Sequence, residues 1–134
     1  MKYTILDSDV FSDAFRPPET ARYARYLRGV VPALTFVSVA EVYFGAYSSR
    51  WGEAKMRELD ARVGRMLVLP FDGELPRACA RLRAEALRRG HPLAQPPHAN
   101  DLWIAACAVH YGAPLLTGNV RHFAGLPELD VIAA

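Results

Sequence analysis

Short, almost uniformly apolar runs alternate along the chain with longer stretches whose apolar positions recur at helical spacing. Tyr3 to Leu6 is the first apolar run and predicts a strand. A short helical stretch from Val10 to Phe15 follows. Pro17 and Pro18 then open a predicted helix that reaches about Leu27, with Gly29 as its stop. Ala33 to Val37 predicts a second strand. Ser38 starts a helix through about Tyr47, and another spans about Gly52 to Val63. Met66 to Leu69 predicts a third strand, and Asp72 or Gly73 starts a long helix that ends near Gly90. Pro92, Pro96 and Pro97 make His91 to His98 a loop. Asn100 is placed as the cap of a helix that Gly112 ends. Leu115 and Leu116 predict a fourth strand and Asp130 to Ile132 a fifth.

Strands that are apolar throughout, rather than on alternate residues, are buried on both faces. Alternating with helices, they indicate a mostly parallel sheet covered on each side. The expected fold is therefore α/β, a three-layer α/β/α sandwich around a mostly parallel sheet of four to five strands. A length of 134 residues suits one domain, residues 1–134. In open sheets of this kind, ligands bind beyond the carboxyl ends of the strands. The residues there are thus the ones to examine.

Asp7-Ser8-Asp9 follows the first strand and Ser38-Val39-Ala40-Glu41 the second. Asn100-Asp101 starts the helix that leads into the fourth strand, and Thr117-Gly118-Asn119 closes that strand. Each group has a purely structural reading. Ser38 and Glu41 fit a capping box. Asp101 in a first helical turn favours the macrodipole. Asp7 and Asp9 fit turns that close a strand, and Asp72 an N-cap. For Asp72 that reading is the better one; for the others, coincidence at one sheet edge favours a joint role instead. Clustered carboxylates repel unless a proton or a cation neutralises them. Hard oxygen ligands at close quarters suit magnesium or manganese, and such sites serve phosphoryl displacement.

Composition narrows the picture only a little. With 51% hydrophobic and 22% charged residues, the chain is neither disordered nor collagen-like. A net charge of +2 is too small to argue for a nucleic-acid partner. Of the 16 basic residues 14 are Arg, which codon bias explains as readily as phosphate binding. Arg77, Arg81, Arg88 and Arg89 share a predicted helix with Glu74 and Glu85, which reads as a solvated face. Cys79 and Cys107 lie in Ala-rich helical stretches and read as buried free thiols, consistent with a reducing cytoplasm. His91, His98, His110 and His122 have no HExxH spacing and no tight ligand pair, which argues against zinc. The start of the chain does not read as a signal peptide. The stretch from Val30 to Tyr47, broken by Pro32 and carrying Glu41, does not read as a membrane span.

In their order and spacing these segments resemble the PIN-domain ribonucleases, and within them the VapC toxins of toxin–antitoxin pairs. The matching segments are Tyr3 to Val10, Ser38 to Gly45, Val68 to Asp72, Asn100 to Ala106, and Leu115 to Phe123, so the resemblance spans nearly the whole chain. It implies that Asp7, Glu41 and Asp101 are metal ligands for Mg2+ or Mn2+. Thr117 matches a supporting hydroxyl. Asn119 matches a fourth catalytic position that is often Asp, and His122 stands where many members have another Asp. Asp9, where Asn is usual, is a further supporting carboxylate. The resemblance further implies a metal-dependent endoribonuclease in the cytoplasm, an RNA substrate, a cognate antitoxin and a homodimer.

Two other readings stand beside it. One is a PIN-like module that binds RNA or protein with little or no activity. The other is an aspartyl-phosphate phosphatase suggested by Asp7-x-Asp9, for which Lys55 is the sole lysine beyond the terminus. A dinucleotide-binding fold is disfavoured, since no Gly-rich loop follows the first strand.

Overall fold

The structure, a computed structural model, describes residues 3–13 and 22–133. Five strands, β1 (Tyr3–Leu6), β2 (Val31–Thr35), β3 (Leu67–Leu69), β4 (Leu115–Thr117) and β5 (Val131–Ala133), form one sheet in the order β3-β2-β1-β4-β5. Every neighbouring pair is parallel. The helices are α1 (Ser8–Asp13), α2 (Phe36–Ser48), α3 (Glu53–Gly64), α4 (Leu75–Arg88), α5 (Ala99–Tyr111) and the single turn α6 (Val120–Phe123).

The apolar strands divide their side chains between two cores. Ile5, Ala33 and Leu115 pack with residues of α4, α5 and α6, including Leu75, Leu82, Ile104 and Phe123. Their successors Leu6, Leu34 and Leu116 pack on the other face with Val10, Phe11, Ala46 and Leu59 from α1, α2 and α3. Successive strand residues point to opposite faces, so near-continuous apolar runs, with buried threonines as their polar positions, are what a doubly covered sheet requires. The expected α/β/α sandwich is the observed one.

Several boundaries differ from expectation. β2 ends at Thr35, two residues before the predicted strand end, because the helix takes over there. The Thr35 side chain accepts the Ser38 N–H at 3.1 Å and is the true N-cap of α2. Ser38 is therefore inside the first turn, fully buried, and the capping-box reading of Ser38 and Glu41 fails. Asn100 is not a cap either. The 3-10 turn Pro96–His98 runs straight into α5, which starts at Ala99 with Asn100 inside it. Asp72 does cap: its Oδ1 accepts the N–H groups of Glu74 and Leu75 at 3.0 and 2.9 Å, and α4 starts at Leu75.

Most of the helix expected after Pro17 and Pro18 lies outside the described residues. Its last part is a bend followed by one 3-10 turn, Ala24–Tyr26. There the Asp13 carboxylate accepts the N–H groups of Arg22 and Tyr23 at 2.8 and 3.2 Å and fixes a turn instead of a helix. The proline loop at 91–98 holds two 3-10 turns and is packed inward through fully buried Leu93.

Cys79 and Cys107 are buried free thiols as expected, and burial pushes Cys107 up to about 12. Gly112 ends α5 with φ of 63°, a left-handed conformation that an L side chain would strain. Among the described residues no helix is long and apolar enough to cross a membrane.

Candidate functional site

Parallel pairing of β1 with β4 sets Leu6 beside Leu116, so the residues that follow them meet at the carboxyl edge of the sheet. The Asp7 N–H donates to the Leu116 carbonyl at 3.0 Å, which continues the ladder by one bond. Fully buried Thr117 then donates its hydroxyl to Asp7 Oδ2 at 2.8 Å and accepts the Asn119 N–H at 3.0 Å. Asp7 Oδ1 accepts the Ser8 N–H at 2.8 Å. Both carboxylate oxygens are thereby held in place, one by a side chain 110 positions away.

Asp7 is only 9% exposed, and its carboxyl is pushed up to about 6. Burial is the largest cause. The hydrogen bonds from Thr117 and Ser8 work against it, and the charges of Asp9 and Asp101 add to it. Asp9 and Asp101 are thus close enough for their charges to act on Asp7.

Glu41 joins through Ser8, whose hydroxyl donates to Glu41 Oε1 at 2.7 Å. The backbone N–H of Ser8 holds Asp7 and its side chain holds Glu41, so one residue orients two carboxylates. Ser8 carries no motif signal beyond its place after Asp7, and sequence reasoning missed it. Asn119 is brought to the same edge by its backbone, and its residue is exposed. Asp9 Oδ1 accepts the N–H of the next residue, Val10, at 2.9 Å.

Asp101 lies in the first turn of α5, half-buried, with Oδ2 2.8 Å from His122 Nε2 on α6. The His98 and His122 rings meet edge to face with centroids 4.4 Å apart. The tight histidine pair that the sequence does not display is therefore formed by residues 24 positions apart.

Close approach, not a special dihedral, requires Gly118. A Cβ there would overlap the Tyr23 hydroxyl and come within 2.7 Å of Asp9 Oδ2. Tyr23 is buried, but its hydroxyl reaches this edge. Gly118→Ala is expected to destabilise the protein by about 1–3 kcal/mol, since a buried ring cannot yield freely. Tyr23→Phe removes the overlapping oxygen and should recover part of that loss in the double variant, as measured by urea unfolding. Additive losses would show that Tyr23 is not the obstacle.

The α4 arginines form the solvated face that was expected. Arg88 and Arg89 pair with Glu85 at 2.6 and 2.8 Å, and Arg77 approaches Glu74 at 3.9 Å. Lys55 lies on α3 with its ammonium 5.3 Å from the Trp51 ring centroid. It is engaged there and not with the Asp7 cluster, which removes the support for phosphatase chemistry.

Comparison with known proteins adds to this geometry. A family model described as PIN domain matches residues 4–129. The chain is similar to Ribonuclease VapC2 of Rickettsia felis, with 28% identity over 97 residues covering 72% of this chain and 69% of that protein. It is 26% identical over 114 residues to the tRNA(fMet)-specific endonuclease VapC of Salmonella typhimurium, covering 85% and 83% of the two chains. The crystal structure of VapBC2 from Rickettsia felis, bound to a DNA fragment from its promoter, contains a chain with the same fold. Its TM-score is 0.81 at 23% identity, over 100% of this chain and 99% of that one.

Proposed function

The chain belongs to the PIN domain family, and from that premise we propose that it is a divalent-metal-dependent endoribonuclease, the toxin of a toxin–antitoxin pair. One observation carries the reading. Three aspartates from two segments far apart in the chain, Asp7 and Asp9 after β1 and Asp101 on α5, share one sheet edge, with Asp7 buried so that its charge is costly until a cation offsets it. Carboxylate oxygens of this kind fit magnesium or manganese. When bound, such an ion supplies Lewis acidity that favours water as a nucleophile and offsets charge on a phosphodiester.

The protein's own contribution is placement. Thr117 and the Ser8 N–H hold the Asp7 oxygens, and the Ser8 hydroxyl holds Glu41. Asp7, Glu41 and Asp101 are assigned as the metal ligands, with Asn119 at the fourth position and Asp9 and Thr117 in support. Cleavage leaves a 5′-phosphate and a 3′-hydroxyl. Residues 1–134 act as a single nuclease domain in the cytoplasm.

An acidic edge of this sort calls for a basic partner. The cognate antitoxin supplies an arginine that pairs with the carboxylates in place of metal. The relatives whose structures are named VapBC complexes support such a partner. Phe44 and Tyr47 on α2 are 72% and 67% exposed and offer an apolar surface to a second copy, consistent with a homodimer.

The test is direct. Purified protein with Mg2+ or Mn2+ is expected to cut RNA internally, and Asp101→Asn and Glu41→Gln should each slow cutting by at least about 100-fold. Cleavage by both variants at the unaltered rate overturns the assignment. If Glu41→Gln alone were harmless, Glu41 would be only the anchor of Ser8.

A further inference from the structure

We propose that His98, Asp101 and His122 form a transition-metal site of two imidazoles and one carboxylate, selective for an ion such as Zn2+ over Mg2+. One ligand atom from each residue lies within 4.8 Å of the others. The three come from different elements: the 3-10 turn before α5, the first turn of α5, and α6. His98 and Asp101 are three apart on a continuous helical path, which places them on one face. α6 brings His122 against both.

The state of His122 Nε2 points to an ion. That nitrogen is buried and lies 2.8 Å from Asp101 Oδ2, yet it has no hydrogen-bond partner among the described residues. Proximity without alignment means that the ring does not aim its nitrogen at the carboxylate. Neighbouring ligands of one ion behave in this way. Each points at a common centre about 2.0–2.2 Å away, and adjacent donor atoms end up roughly 3 Å apart without pointing at each other. A simple ion pair would instead align the N–H with the oxygen.

The donor chemistry sets the selectivity. Magnesium keeps to oxygen and dehydrates reluctantly, whereas imidazole suits zinc, nickel, cobalt and iron. Two neutral imidazoles and one carboxylate leave positions open on such an ion, and all three residues are half-buried, so solvent and a phosphate oxygen can reach it. The site deepens the nuclease reading, because Asp101 belongs to both. It does not depend on that reading, because binding can be measured without RNA.

The experiment loads the metal-free protein with Co2+ as a spectroscopic stand-in for zinc, and titrates Zn2+ by calorimetry. Unaltered protein should show visible d–d bands, two contact-shifted imidazole N–H resonances, and displacement of Co2+ by one equivalent of Zn2+. His98→Ala and His122→Ala, checked for folding by circular dichroism, should each lose one imidazole signal. Each should also weaken Zn2+ binding by at least about 100-fold. Asp7→Asn should keep both imidazole signals. Co2+ spectra that are the same in the unaltered protein and in both histidine variants would overturn the site, while leaving RNA cleavage with Mg2+ intact. Imidazole-bound Co2+ in a protein that cuts no RNA would support the site and overturn the nuclease reading.

Discussion

Asp7→Asn is expected to lower RNA cleavage by several orders of magnitude while raising the stability of the metal-free protein at neutral pH by about 3 kcal/mol. The two effects share a cause. Burial and the charges of Asp9 and Asp101 push the Asp7 carboxyl from 3.8 to about 6 in the folded protein. Folding therefore favours the protonated form. That favour is fully present below about pH 4 and is lost as pH rises through about 6. Above that point the folded chain carries a buried, crowded negative charge, and an amide does not. Asn can still accept the Ser8 N–H and meet the Thr117 hydroxyl, so the local geometry survives.

Urea unfolding in a chelator from pH 4 to pH 8 checks this. The stability difference between variant and unaltered protein should be small at pH 4, grow to pH 7 and then level off. Magnesium should reverse the order, because it stabilises only the protein that still binds it. A difference independent of pH would mean that the Asp7 charge is not strained by its surroundings.

Phe123→Ala is expected to cost about 3–5 kcal/mol, a large part of the roughly 5–15 kcal/mol that holds a domain of this size. Phe123 is almost fully buried among the residues between the sheet and α5, and it sits on α6, a helix of a single turn. A turn that short has no stability of its own and depends on tertiary anchors, of which Phe123 is the most deeply buried. His122 is its neighbour, with ring centroids 5.4 Å apart, so loosening Phe123 also releases His122 from Asp101. Phe123→Leu keeps most of the volume and should cost about 1.5 kcal/mol or less. Urea unfolding with an unchanged slope measures both. A loss under about 1 kcal/mol for the alanine variant would show that α6 is held by something else.

The sheet was legible in the chain because burial on both faces leaves a mark that no local competitor erases: strands without charged positions and without an apolar–polar alternation, whose few threonines are themselves buried. Helix starts were less legible. Thr35 and Ser38 both suit an N-cap, and only the packed position of β2 decides for Thr35. Asn100 lost its role in the same way, because the turn before it was already helical in direction. The His98–His122 pair left no mark in the sequence because the two residues lie 24 positions apart, beyond the reach of any local spacing rule.

By itself the sequence determined the α/β architecture, the order of the strands along the chain, and the candidate residues at strand ends and early helical turns: Asp7, Glu41, Asp101, Thr117 and Asn119. Those follow from periodicity and residue type, which act over a few positions. The tertiary structure alone decided which of them touch. Placing β4 beside β1 gave Asp7 its Thr117 hydroxyl and buried it far enough to shift its proton affinity. The approach of α1 to α2 made Ser8 the link to Glu41. Folding α6 against α5 set His122 on Asp101. Side-chain hydrogen bonds and desolvation depend on distances of a few ångströms between segments far apart in the chain, and only packing of the whole domain sets those distances.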